Sequence, residues 1–133
     1  MRFMTIYKPG RESDAPPTPQ QIAQMGAFIG ELAQEGVLLY TDGLQPSSKG
    51  ARVKIDENGN FKVTDGPFAE TKELVGGFAI IQVKSKEEAV ELTKRFLSLM
   101  GEGESEIRLM QDESAFDANS PKNAAMAGLH TLG

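Results

Sequence analysis

The sequence contains no cysteine, no tryptophan and a single histidine, His130. Without cysteine there is no disulfide framework, no thiolate nucleophile and no Cys-ligated zinc. One histidine cannot build a histidine-rich metal site, so a bound metal would have to be a hard ion such as magnesium held by carboxylates. No metal and no cofactor are expected. Positive charge is also in short supply, with 14 Lys and Arg against 19 Asp and Glu and a net charge of −5. That balance argues against a nucleic-acid duplex, where Lys and Arg must replace condensed counterions, and against an anionic membrane surface. No run approaches the ~18 apolar residues of a membrane span. The apolar start, Phe3 to Tyr7, is too short for the apolar core of a signal peptide and lacks a cleavage pattern. The expectation is a soluble, cytoplasmic protein.

What is present suits a globular domain: 39% hydrophobic and 25% charged residues in a chain of 133, within the roughly 100–200 residues of one domain. Met1–Lys8 alternates with apolar residues on both faces, which predicts a central strand. Thr18, Pro19 and Gln21 form a capping box with proline at the first helical position. Ile22, Met25, Ile29, Leu32 and Ala33 then follow at helical spacing. Gly36 falls where a left-handed residue ends a helix. Val37–Tyr40 reads as a short buried strand and Thr41–Gly50 as turns. Arg52–Ile55 and Phe61–Thr64 alternate around the loop Asp56–Asn60, a hairpin. Gly76–Val83 is a strand. Ser85 and Glu88 open a second helix carrying Ala89, Leu92, Phe96, Leu99 and Met100, and Glu104–Gln111 is the last strand. Residues 112–133 show no period and few large apolar groups, so the domain is expected over 1–111, with a flexible tail or dimer arm over 112–133.

The order β-α-β, hairpin, β-α-β predicts an α+β, ferredoxin-like split βαβ fold with an inserted hairpin. Two helices cover only one face of such a sheet. The other face is expected to be covered by a second copy, making a homodimer.

The densest chemistry lies in Asp65-Gly66-Pro67-Phe68-Ala69-Glu70-Thr71-Lys72-Glu73, which packs four ionisable side chains and one aromatic into nine residues between two strands. Proline disfavours the helical region for Gly66 and sets its own φ. Asp65 is the candidate general base, since burial at a strand mouth would raise its pKa. Lys72 is the candidate group for a developing anion, and Glu70 holds Lys72 or acts as a second acid–base group. The plainer alternative is a turn-forming Asp65, a Phe68 that plugs the loop into the core and solvated charges beyond. Asp42, in a second Asp-Gly pair, either forms a turn or converges on Asp65. Tyr7 either donates to a ligand or is a core tyrosine, and Arg52 either binds an acidic ligand or is solvated. Asp56-x-Asn58-x-Asn60 resembles a calcium loop but has Phe61 at the sixth position and Pro67 at the twelfth. No Gly-Lys-Ser/Thr phosphate loop is present.

DGPFAETKE over 65–73 resembles the signature of the DGPFAETKE branch of the YCII-related family. Met4–Tyr7, Gly36-Val37-Leu38, Gly43-Leu44-Gln45-Pro46 and Gly76-Gly77-Phe78 are similar to the same pattern, so the resemblance spans roughly 1–110. It implies the dimeric α+β barrel form of the fold. It also implies relatives that act on small organic molecules in a cleft between sheet and helices, some without metal or flavin. Added to the residue reading, the expectation is a small-molecule ligand, or a cofactor-independent proton transfer or elimination, in a cleft built around Asp65–Glu73 with Tyr7, Asp42 and Phe68 as ligand contacts. The His–Asp pair ascribed to the wider family has no counterpart in the matched region, because His130 lies beyond it. The resemblance equally implies bacterial relatives accompanying sigma factors of the extracytoplasmic-function type, and hence the alternative of a non-enzymatic sensor or accessory module.

Overall fold

A computed structural model describes residues 1–12, 15–69 and 74–111. The expectations placed on Glu70, Lys72, the tail 112–133 and His130 lie outside the described residues. The elements are β1 (Arg2–Lys8), α1 (Pro19–Gln34), β2 (Leu38–Gly43), a single 3-10 turn (Ser47–Lys49), β3 (Ala51–Ile55), β4 (Phe61–Asp65), β5 (Gly77–Gln82), α2 (Lys86–Met100) and β6 (Glu104–Leu109).

Four strands form an antiparallel sheet in the order β2-β5-β1-β6, while β3 and β4 pair as a separate hairpin. Each βαβ unit is split by a strand of the other: β5 lies between β1 and β2, and β1 between β5 and β6. This is the ferredoxin-like α+β arrangement. The registers Phe3↔Ile81, Thr5↔Ala79 and Tyr7↔Gly77 put those side chains on one face, because strand side chains alternate. Phe3, Ile81 and Val83 pack there with Ala89 of α2 as the core, joined by Leu92 and Leu38.

Helix ends follow local chemistry. Thr18 Oγ1 accepts from Gln21 N at 3.1 Å, and Gln21 Oε1 accepts from Thr18 N at 2.8 Å. Gly36 takes φ 73° just past α1. At α2, Ser85 Oγ accepts from Glu88 N at 3.1 Å, but the Glu88 carboxylate reaches Lys84 N at 3.0 Å rather than the cap's own amide.

The reading of Val37–Tyr40 as a buried strand is corrected. The strand runs on to Gly43 and occupies a sheet edge, leaving Leu39 and Tyr40 about half exposed, at 48% and 53%. A four-residue apolar run does not distinguish an edge from a centre. The hairpin has the expected register, Val53↔Val63 and Ile55↔Phe61, yet those four side chains are 57–71% exposed. Its loop is tied by Asp56, whose Oδ1 accepts from Asn58 N at 2.8 Å and Asn60 N at 2.9 Å. Three hydrogen-bonding backbone groups, Asn60's first, hold the Asp56 carboxyl below its ordinary value.

Candidate ligand cavity

Between the helices and the sheet lies an open-sided cavity of about 450 Å³, within the range of small-molecule sites. β1 and β5 supply Thr5, Tyr7, Ala79 and Ile81; α1 supplies Met25, Phe28, Ile29 and Leu32; α2 supplies Leu92, Thr93 and Phe96. The wall is largely apolar because each helix turns its 3.6-period stripe inward. Phe28, Thr41 and Thr93 were not singled out by sequence. Phe28 shares the inward side of α1 with Met25, Ile29 and Leu32, and that spacing was the available signal.

Tyr7 is buried at 8% exposure. Its ring meets Phe96 edge-on, with centroids 5.3 Å apart and planes at 87°, and its hydroxyl donates to the Glu102 carbonyl oxygen at 2.9 Å. Burial, and secondarily the Glu102 charge, push its pKa up. Gly103 makes this seat. A Cβ there would stand 2.7 Å from Tyr7 Cε1, and its φ of +104° is strained for other residues. Tyr7 is therefore both a satisfied core tyrosine and part of the cavity wall. Thr41 Oγ1 donates to the Phe78 carbonyl at 3.0 Å, and Thr93 Oγ1 to the Ala89 carbonyl at 2.8 Å.

Asp42 borders the cavity, but alternation turns its carboxylate to the opposite sheet face with Tyr40 and Phe78. There Tyr40 stacks on Phe78 at 5.9 Å. Asp42 Oδ2 accepts from Tyr40 Oη at 3.2 Å, and Oδ1 accepts from Gly43 N at 2.9 Å. Asp65 is not among its hydrogen-bond partners.

The described part of the DGPFAETKE loop forms a clasp. Asp65 ends β4 opposite Ala51 and is exposed, so the burial on which its role as a base rested is absent. Gly66 N donates to the Gly50 carbonyl at 3.0 Å, and the Gly66–Pro67 peptide is cis. A Cβ on Gly66 would fall 1.6 Å from the Ser47 carbonyl oxygen, so only glycine fits. Phe68 N donates to Ser47 Oγ at 3.0 Å, while Ser47 N and Oγ both donate to the Glu12 carboxylate, at 2.7 and 3.0 Å. The Arg52 guanidinium lies 3.8 Å from the Phe68 ring centroid, a cation–π contact rather than a purely solvated position. Neither Asp65 nor Phe68 stands in the cavity wall. Among the described residues, no three His, Asp or Glu side chains gather as a cation site would need.

No curated protein matches the chain. Among solved structures, it is similar to 5-chloro-2-hydroxyhydroquinone dehydrochlorinase from Burkholderia phenoliruptrix AC1100 in complex with 2,5-dihydroxybenzoquinone. That likeness has 15% identity and a TM-score of 0.42, and covers 84% of this chain and 94% of the other. Residues 1–108 match the family model of the YCII-related domain. The chain belongs to the YCII-related family.

Proposed function

We propose that this protein binds a small organic molecule in the cavity between its helices and sheet. The observation that carries the reading is that cavity: about 450 Å³, apolar walls and a few hydroxyls, the make-up of a small-molecule site. The described part of the loop, residues 65–69, then acts mainly as the clasp that holds the neighbouring segments. A catalytic role in proton transfer or elimination falls to Glu70 and Lys72 if the loop reaches a bound molecule, with Asp65 at its base. A thermal-shift screen of small metabolites on wild type and on Ala79→Leu, which fills the cavity floor, tests the reading. A ligand at 100 times its dissociation constant stabilises the fold by about 2.7 kcal/mol. Hits on wild type that vanish in Ala79→Leu support it. Hits that persist in the variant overturn it.

The working unit in this proposal is a homodimer of the 1–111 domain. The sheet face away from the helices carries Met4, Ile6, Phe78 and Ile80, and the hairpin presents Val53, Ile55, Phe61 and Val63 at 57–71% exposure. Exposed apolar side chains grouped on one hairpin face mark an association site. Phe61→Glu should shift the chain to monomer in analytical ultracentrifugation. An unchanged mass would remove the hairpin from the interface.

The same hairpin face favours a second reading, a non-enzymatic sensor or accessory module, with which the sigma-factor association implied by the sequence resemblance belongs. Pull-down with a co-encoded sigma factor, abolished by Phe61→Glu, would favour it.

A further inference from the structure

The inference deepens the cavity reading above and rests on it. Three wall hydroxyls are committed as donors. Tyr7 Oη donates to the Glu102 carbonyl, Thr41 Oγ1 to the Phe78 carbonyl and Thr93 Oγ1 to the Ala89 carbonyl, at 2.9, 3.0 and 2.8 Å. A carbonyl has no proton to give, so the direction of each bond is unambiguous, and a hydroxyl has only one proton. Each oxygen therefore offers a ligand lone pairs and no donor. Thr5 is the one wall hydroxyl that makes no hydrogen bond among the described residues. No Lys, Arg or His stands in the described wall, and Asp42, its one acidic residue, turns its carboxylate to the other sheet face toward Tyr40. An anion entering this space would lose its hydration with no cation of the described wall to offset the loss; Arg95, whose guanidinium lies 4.9 Å from the Phe28 ring centroid, is paired with Glu31. A molecule bearing O–H or N–H groups meets a surplus of acceptors instead, between the aromatic side chains of Phe28 and Phe96.

We propose that the cavity selects an uncharged, ring-sized apolar molecule that presents hydrogen-bond donors, held by the acceptor oxygens of Tyr7, Thr41 and Thr93, and that it rejects carboxylates.

The test is titration of the intact chain at neutral pH with three matched probes: 2-naphthol, 2-methoxynaphthalene and 2-naphthoate. The naphthol should bind about tenfold tighter than its ether, the worth of one hydrogen bond of about 1.4 kcal/mol. The naphthoate should bind about a hundredfold more weakly than the naphthol. The naphthol-to-ether preference should shrink at least about threefold in one or more of Thr41→Val, Thr93→Val and Tyr7→Phe. Thr41→Val, at an exposed position, keeps the test available where a buried variant fails to fold. Equal binding of naphthol and ether, tightest binding of the naphthoate, or a preference unchanged in every variant that folds would overturn this inference and leave a ligand cavity standing. Binding of none of the three overturns the inference and the cavity reading together.

Discussion

Phe68 N and Ser47 Oγ meet at 3.0 Å across 21 residues of chain, and that one bond joins the DGPFAETKE loop to the turn that precedes the hairpin. Ser47 passes the connection on to Glu12 through its own N–H and hydroxyl. Three segments distant in sequence are held by a single small residue, through its backbone N–H and its hydroxyl.

Ser47→Ala should therefore cost about 1–3 kcal/mol, because a part-buried amide and a carboxylate each lose a partner. Gly66→Ala should cost on the order of 3 kcal/mol, since the loop must move to clear the Ser47 carbonyl. Urea denaturation of the two variants checks both values. A neutral Ser47→Ala would mean that the clasp is ornamental.

Tyr7 links stability to alkaline pH. Burial favours its neutral form, so its folded pKa lies above the ordinary value of 10.0. Between the two values the unfolded chain has released more protons than the folded one, and stability falls as pH rises. The contribution is complete below 10.0 and is lost as pH climbs through the raised folded value. Tyr7→Phe should lose about 1 kcal/mol at neutral pH with its hydrogen bond and show a flatter alkaline limb in chemical denaturation. A limb as steep as that of wild type would assign the effect to another group.

Asp56 carries the opposite sign. Its folded pKa lies below the ordinary 3.8, chiefly through the Asn60 backbone bond. Its stabilising contribution is present above 3.8 and lost as pH falls through the depressed value. Asp56→Ala should be less stable than wild type at neutral pH, and the gap should close under acid. Denaturation curves at a series of acidic pH values would reveal a constant gap if the carboxylate's charge is irrelevant.

Leu32 is the buried residue of α1, at 4% exposure, and it borders the cavity. Leu32→Ala should cost about 2–3 kcal/mol, the low end for such truncations, because an open space already lies on one side of it. Arg95, by contrast, pairs with Glu31 across the two helices at 2.9 Å with both side chains about half exposed. Arg95→Ala should change stability by less than about 1 kcal/mol, and the change should fade with salt. A larger effect would make the pair a strut between the helices.

The sequence by itself determined where chain segments start, stop and turn. Thr18-Pro19-x-Gln21 and Gly36 bracket α1, Asp56–Asn60 closes the hairpin, and the order of elements leads to the split βαβ fold. These are decisions of backbone chemistry within a few residues, and local sequence carries them. Only the tertiary structure decided what faces what. Asp42, readable as a turn residue or as a partner of Asp65, borders the cavity with its carboxylate turned toward Tyr40. Asp65 looked buried at a strand mouth and is exposed, while Tyr7, Phe28, Thr41 and Thr93 share one cavity from four separate elements. Ser47 carried no signal, because its worth lies in partners 21 and 35 residues away. Burial and hydrogen-bond direction depend on distances between segments, and only the folded sheet brings those segments together.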